Sequence, residues 1–333
     1  MPSKIWMSLL AVVGLATSIS VAEAELPTPP KDFPRRPINL VVVYPAGGGM
    51  DVTARTLAKV AEEVLKHEFR VENRVGGAGM VGHTYLAKNA QADGYTIGVV
   101  ANPFLFTDIL LRDAPFGKDD FDPLVFINFE PAIWMANAKG ALGASSFDDI
   151  VTNAKQNPGK LRAGVLPNNV FQFVTEFVER TKGVKFTHVP FQGGQPGVVA
   201  LLAGDIDVTT AFFTEVEQHI GSGDLKAIAV ADDKRFPRLP DTPTFSEVGV
   251  PVAENTWGAA RFLVLPKGVP QERRDYLEAA FLEVLKSEVA KKAFADIGLE
   301  LSPANTQKTA EIYSTAYDSL RTFLTETGRI SGK

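Results

Sequence analysis

Cysteine is absent from all 333 residues of this chain. Disulfide bonds, which stabilise many exported proteins, are therefore excluded. A lipid attached through a cysteine thiol at a cleavage site is excluded for the same reason. Stability must come from a hydrophobic core. A composition of 45% hydrophobic and 22% charged residues is typical of a globular protein, and the length suffices for two domains.

Positive charge and catalytic motifs are also scarce. The formal net charge is −5, so no basic field attracts nucleic acid. The sequence has no G-x-S-x-G, H-E-x-x-H or Walker A motif. Four histidines lie far apart without metal-ligand spacing, and we expect each at the surface or in a cleft: His67, His83, His188 and His219. We predict a protein that is not an enzyme and has neither a metal nor a cofactor.

The N-terminus has the pattern of a secretory signal peptide. Lys4 supplies a positive charge, residues 5–19 are mainly apolar, and Ala22-Glu23-Ala24 fits a cleavage site, so residues 1–24 would be removed. An uncleaved membrane anchor is the alternative, although the apolar segment is short for a membrane span. No later segment approaches 18 continuous apolar residues. We therefore predict a soluble protein of the periplasm without a lipid anchor.

Strands and helices alternate after a proline-rich, extended segment at residues 25–36. Such alternation predicts an α/β protein with mostly parallel sheets. We expect two doubly wound α/β lobes joined by a hinge. Residues 37–131 together with 257–333 would form the first lobe, and residues 132–256 the second.

Hydrophobic periodicity predicts the individual elements. The predicted strands are residues 38–44, 69–73, 95–100, 124–128, 161–166, 186–189, 206–212, 225–231 and 256–265. The predicted helices are residues 52–65, 80–90, 146–156, 170–182, 196–203, 271–286, 289–296 and 306–327. A cleft between two α/β lobes is where a ligand is expected to bind.

The segment YPAGGGMD, residues 44–51, joins a predicted strand to a predicted helix. The first amides of a helix have no intrahelical partner and carry the positive end of the helix dipole. Glycine lets a ligand approach them closely, which predicts a site for a carboxylate or phosphate. The segment has no lysine, which disfavours phosphate. We expect Asp51 to cap or favour the helix N-terminus and Arg55 to pair with Asp51.

Two further glycine-rich segments follow the same strand-to-helix pattern. Residues 188–197 (HVPFQGGQPG) offer a second helix entrance to the cleft. Residues 77–82 (GAGMVG) match the dinucleotide pattern G-x-G-x-x-G, but the acidic residue expected about 20 positions later is missing. We interpret this match as a tightly packed glycine turn. A secreted oxidoreductase that binds NAD is the alternative.

The chain resembles the substrate-binding proteins of tripartite tricarboxylate transporters, the Bug family. Six segments carry the resemblance in order: PINLVVVYPAGGGMD (37–51), VENRVGGAGMVG (71–82), DGYTIGV (93–99), VPFQGGQPGVVALLAGDID (189–207), LKAIAVADDKRFPRLPDTPTFSEVGVP (225–251) and LPKGVP (265–270). The resemblance implies a type II-like periplasmic binding protein whose lobes close on a small organic carboxylate or dicarboxylate. It also implies two membrane permease subunits as partners. We expect the protein itself to be a monomer.

The glycine loops and the resemblance together predict the residues that contact the ligand. They are Tyr44, Ala46, Gly47, Gly48, Gly49, Asp51, Phe104, Gly164, Phe171, Gln172, Phe191, Gln192, Gly193, Thr210 and Phe212. Gln172 stands where the family usually has a histidine, so the ligand of another member does not transfer directly. The aromatic residues motivate the hypothesis of an aromatic acid such as terephthalate. A component that presents a ligand to a sensor kinase is the alternative to transport.

Overall fold

The computed structural model describes residues 27–191 and 194–331, so the predicted signal peptide lies outside the described residues. Within this part of the chain the strands form one mixed, nine-stranded sheet. The strands are β1 (Ile38–Val42), β2 (Phe69–Asn73), β3 (Thr96–Asn102), β4 (Phe121–Asn137), β5 (Arg162–Val165), β6 (Thr187–Pro190), β7 (Val208–Phe212), β8 (Leu225–Val230) and β9 (Gly258–Pro266).

The strands fall into two groups that share β4. In the first group the order is β2-β1-β3-β9-β4, with β1 parallel to β2 and β3, and with β9 antiparallel to β3 and β4. In the second group the end of β4 pairs antiparallel with β7 and β8, and β5 lies parallel between β7 and β6. The partner of β4 changes between Pro131, which pairs with β9, and Ala132, which pairs with β7.

Helices cover the faces of both groups of strands. They are α1 (Gly49–Leu65), α2 (Met80–Thr84), α3 (Phe104–Leu111), α4 (Phe147–Gln156), α5 (Val170–Lys182), α6 (Gly194–Ala203), α7 (Phe213–Gly221), α8 (Gln271–Lys286), α9 (Glu288–Asp296) and α10 (Thr306–Glu326). A 3₁₀ turn (Gly77–Gly79) precedes α2, and a π turn (Tyr85–Asn89) continues it. Among the described residues, no helix combines the length and apolar character needed to cross a membrane.

The first group of strands is buried on both faces. Val41 belongs to one hydrophobic cluster, whereas its neighbours Leu40 and Val42 belong to another on the opposite face, because successive side chains of a strand alternate. Phe281 of α8 packs in the second cluster, and Phe323 of α10 packs in the first. Coverage on both faces explains why these strands are continuous apolar runs in the sequence.

The mixed α/β fold confirms the predicted class, and three elements match their predicted bounds: β2, α5 and α8. The expectation of mostly parallel pairing is wrong, since β4 and β9 bring antiparallel pairing into the sheet. The segment predicted at residues 124–128 is only the centre of the 17-residue β4. Helices α3 and α7 were not predicted. The proposed lobe boundaries remain a prediction.

The C-terminal helix α10 contacts a strand of the first group and a helix that covers the second group. Its Phe323 ring centroid lies 5.6 Å from that of Phe173 on α5 and 5.2 Å from that of Trp257. Near its N-terminus, the Thr309 hydroxyl accepts a hydrogen bond of 2.8 Å from the Phe126 amide of β4. Helix α10 therefore connects the core of one group to the helix that covers the other.

Replacement of Phe323 by alanine should lower the free energy of unfolding by about 3–5 kcal/mol, because it leaves a cavity among buried aromatic rings. Gln307→Ala, at an exposed position of the same helix, should change it by less than about 0.5 kcal/mol. Urea unfolding monitored by circular dichroism measures both. Equal stability of the two variants would contradict this role for α10.

Candidate ligand-binding site

The first glycine loop, residues 44–48, connects β1 to α1. Residues 45–49 are all exposed. Gly47 has φ +83°, which glycine adopts without strain. Gly48 is the N-cap residue of α1 and no side chain caps this helix end. The amides of the first helical residues, Gly49 and Met50, therefore have no partner within the helix, and the positive end of the helix dipole faces an open surface.

Asp51 fixes the first glycine loop through a hydrogen bond to its backbone. Its side chain is buried and accepts hydrogen bonds from the Gly47 amide (2.8 Å), Arg55 Nε (2.9 Å) and Asn73 Nδ2 (2.8 Å). Burial acts to raise the pKa of Asp51, but these hydrogen bonds and the Arg55 charge outweigh it and lower the pKa. The predicted pair with Arg55 is present. Asp51 does not cap α1, however, because its carboxylate holds the loop amide of Gly47.

The first glycine loop lies at a topological switch point of the sheet. β1 lies between β2 and β3, and all three are parallel, so their carboxyl ends share one edge. Ligands of open α/β sheets bind in the crevice at such a point. The loop after β3 leads directly into α3, whose N-cap residue, Pro103, also gives no side-chain cap. The rings of Tyr44 and Phe104 lie 5.9 Å apart and so connect these two loops.

The second group of strands has a corresponding switch point between β5 and β7. Phe171 in the first turn of α5 and Phe212 at the end of β7 meet with ring centroids 4.9 Å apart. Phe171 is buried, whereas Phe191 and Phe212 are half-buried. Gly164 in β5 allows close packing, because a Cβ there would lie 2.5 Å from Ile206.

The polar residues predicted in this second half differ in whether the protein engages them. The Gln172 carbonyl accepts from the Asn168 amide (2.7 Å), and its amide group donates to Glu176 (2.8 Å). Thr210 is buried, and its hydroxyl has no hydrogen-bond partner among the described residues. Gln192 and Gly193 lie outside the described residues.

The G-x-G-x-x-G segment is a tightly packed turn. A Cβ at Gly82 would lie 2.5 Å from Val43 and 2.7 Å from the Arg74 carbonyl oxygen. The Gly77 carbonyl accepts a hydrogen bond of 2.7 Å from Arg112. The glycines thus bring this turn against the strand that leads into the first glycine loop.

A buried polar cluster lies beside this turn and was not predicted from the sequence. His83 is fully buried, and its Nδ1 lies 2.8 Å from Asp108, which also pairs with Arg112 at 2.7 Å. The expectation of a surface or cleft position is therefore wrong for His83. Its partner is 25 residues away, and no local spacing indicates the pair. Across the described residues no cluster of three or more His, Cys, Asp or Glu side chains could hold a metal ion.

Comparison with known proteins identifies the family. The family model described as "Tripartite tricarboxylate transporter family receptor" matches residues 53–327. The chain belongs to this receptor family. Membership confirms the expected resemblance and the prediction of a binding protein that is not an enzyme. The alternative of a secreted oxidoreductase that binds NAD is therefore excluded.

Relatives of this receptor extend over most of its length. Protein BugT of Bordetella pertussis is 30% identical over 87% of the chain and 88% of its own length. The crystal structure of a TctC solute-binding protein from Polaromonas, without ligand, covers 88% of the chain and 99% of its own, with a TM-score of 0.78 and 27% identity. An R. palustris protein solved with adipate has a TM-score of 0.72 and 26% identity, with coverage of 89% and 99%.

The helix ends of this receptor differ between the two groups of strands. In the first group no side chain caps α1 or α3. In the second group Asn169 caps α5 by accepting from the Phe171 amide, and Glu130 accepts from the Thr214 amide of α7. Of these four helix ends, those of α1 and α3 therefore have amides that no side chain binds.

Replacement of Asp51 by asparagine should lower the free energy of unfolding by about 1–3 kcal/mol at pH 7, because charged hydrogen bonds to the loop are lost. The pKa of Asp51 is lower in the folded protein than its ordinary value of 3.8, so the ionised carboxylate stabilises the native state above that pH. This stabilisation disappears as the pH falls through the pKa of Asp51 in the folded protein. The gap between wild type and variant should therefore narrow below about pH 4.

Urea unfolding between pH 7 and pH 3 measures that gap. Asp241→Asn, in an exposed loop, provides the control and should follow the wild type throughout. An Asp51→Asn gap of the same size at pH 3 and pH 7 would contradict the electrostatic explanation.

Proposed function

We propose that this receptor is a periplasmic protein that captures a small organic carboxylate and delivers it to the permease subunits of a tripartite tricarboxylate transporter. The observation that carries the proposal is the exposed, uncapped N-terminus of α1 at the switch point between β1 and β3. The predicted signal peptide supports the location. The protein would act as a monomer that closes around its ligand and releases it unchanged.

A carboxylate fits the first glycine loop better than a phosphate does. Neutral amides at Gly49 and Met50, together with the helix dipole, can bind one negative charge. Residues 44–49 contain no lysine, and the nearest arginine on the helix, Arg55, is paired with Asp51. The Gly47 amide is also engaged, because it donates a hydrogen bond to Asp51. The remaining donors match the modest charge of one carboxylate group.

The rest of the ligand would lie against aromatic side chains. The half-buried rings of Phe104, Phe191 and Phe212 lie at the carboxyl ends of β3, β6 and β7, and an aliphatic chain or an aromatic ring could pack on them. The adipate complex of the R. palustris relative supports a linear dicarboxylate. The Phe171–Phe212 ring pair supports an aromatic diacid such as terephthalate.

Calorimetric titration of the purified receptor with C4–C6 aliphatic diacids and with terephthalate tests the proposal. At least one of these acids should bind saturably, and NAD should not. Tighter binding of an aliphatic diacid would exclude the aromatic hypothesis. Absence of binding by every acid would contradict the proposed function.

The variant Gly48→Val places a branched side chain at the helix end and should weaken binding of the tightest acid at least tenfold, about 1.4 kcal/mol. Gly48 has φ −76°, which valine tolerates, and a Cβ there lies 3.3 Å from the Pro45 carbonyl oxygen, so the fold should persist. Gly117→Val is the matched control, because Gly117 is extended and a Cβ there meets no atom within 4 Å. Unimpaired binding by Gly48→Val would place the carboxylate elsewhere.

A further inference from the structure

A buried polar network lies where β4 passes from one group of strands to the other. Glu130 is 3% exposed and directly precedes Pro131, the last residue of β4 that pairs with β9. Its Oε2 accepts a hydrogen bond of 2.8 Å from Arg261 on β9, which is 6% exposed. A buried carboxylate needs such a partner, since an unpaired charge in the interior is costly.

The other carboxylate oxygen of Glu130 binds Thr214 of α7, a helix that belongs to the second group of strands. Its Oε1 accepts from the Thr214 amide at 3.0 Å and from the Thr214 hydroxyl at 2.7 Å. Thr214 is the second residue of α7, so its amide has no intrahelical partner, and an anion is favourable at that helix end. Glu130 thus ties the helix that follows Phe212 to the two strands of the first group.

This connection exists in an arrangement that leaves the ligand site uncovered. Residues 45–49 are exposed, and Thr214 itself is exposed. The chain passes between the groups at two adjacent places, joined by a hydrogen bond of 3.0 Å from the Ala132 amide to the Trp257 carbonyl. Rotation at this point would change the distance from Glu130, on one side of it, to Thr214, on the other.

We propose that the bond between Glu130 and Thr214 is a latch that holds the receptor in its uncovered arrangement and that must break when the ligand draws the two groups together. The inference rests on the proposed function, because it assumes a ligand that closes the cleft. On release, Glu130 keeps Arg261 as its partner, and water can reach the exposed Thr214. The ligand must therefore compensate for the lost bonds, which lowers its apparent affinity.

The variant Thr214→Val removes the hydroxyl bond with little change in volume. It should bind the tightest diacid of the panel about 3- to 10-fold more strongly than the wild type, because less of the protein is held in the uncovered arrangement. Thr214→Ser keeps the hydroxyl and should bind within about twofold of wild type. Thr187→Val removes a hydroxyl bond of equal length, 2.7 Å to Gly159, within the second half, and should also leave the affinity unchanged.

Distance measurement on the ligand-free protein gives a second result. Because the chain lacks cysteine, Glu63→Cys on α1 and Lys155→Cys on α4, both exposed, can carry one spin label each. Without ligand, the Thr214→Val protein should shift toward the distance distribution of the acid-saturated wild type. The Thr187→Val protein should not shift.

Unchanged or weaker affinity of Thr214→Val, together with an unchanged distance distribution, would overturn the latch. Failure of the wild type to bind any acid would instead contradict the proposed function. In that case a shift of the ligand-free Thr214→Val distribution away from that of wild type and Thr187→Val would still support the latch, and no shift would overturn it.

Discussion

A single strand, β4, takes part in both groups of the sheet, and the geometry of the candidate site depends on this sharing. Its 17 residues pair with β9 up to Pro131 and with β7 and β8 from Ala132 onward. Because β4 is common to both groups, the carboxyl ends of β1 and β3 and those of β5 and β7 belong to one continuous sheet. The two switch points, each a place where α/β sheets bind ligands, are thereby built on one framework.

The two switch points differ in their chemistry. At the first, glycine and proline stand at the N-caps of α1 and α3, and neither provides a capping side chain. Asp51 orders the first glycine loop without occupying the amides of Gly49 and Met50. At the second, Asn169 caps α5, Gln172 is hydrogen-bonded within the protein, and the rings of Phe171 and Phe212 are in contact. The anionic end of a ligand would therefore suit the free amides at the first switch point, and its apolar body would suit the aromatic rings at the second.

Prediction from the sequence succeeded where a pattern is local. Helix α5 begins after Asn169, a capping residue, and ends at Gly183 in the left-handed conformation, so both of its ends are visible in the sequence. Helix α3, FLFTDILL, was missed because it is short and apolar on nearly all sides, which hides helical periodicity. The Asp51–Arg55 pair was predictable from its spacing of four residues, whereas the His83–Asp108 pair was not.

The α/β class, the uncharged glycine loop at the start of α1 and the membership of a receptor family can be predicted from residue order, because each is a pattern of neighbouring residues. The contacts between distant residues around the site can be known only from the folded chain. Asn73 of β2 donates to Asp51 at 2.8 Å, and Glu130 reaches Thr214, 84 residues away, across the point where β4 changes partners. Such pairings depend on how strands are ordered in the sheet, and that order follows from packing of the whole core rather than from local residue preference.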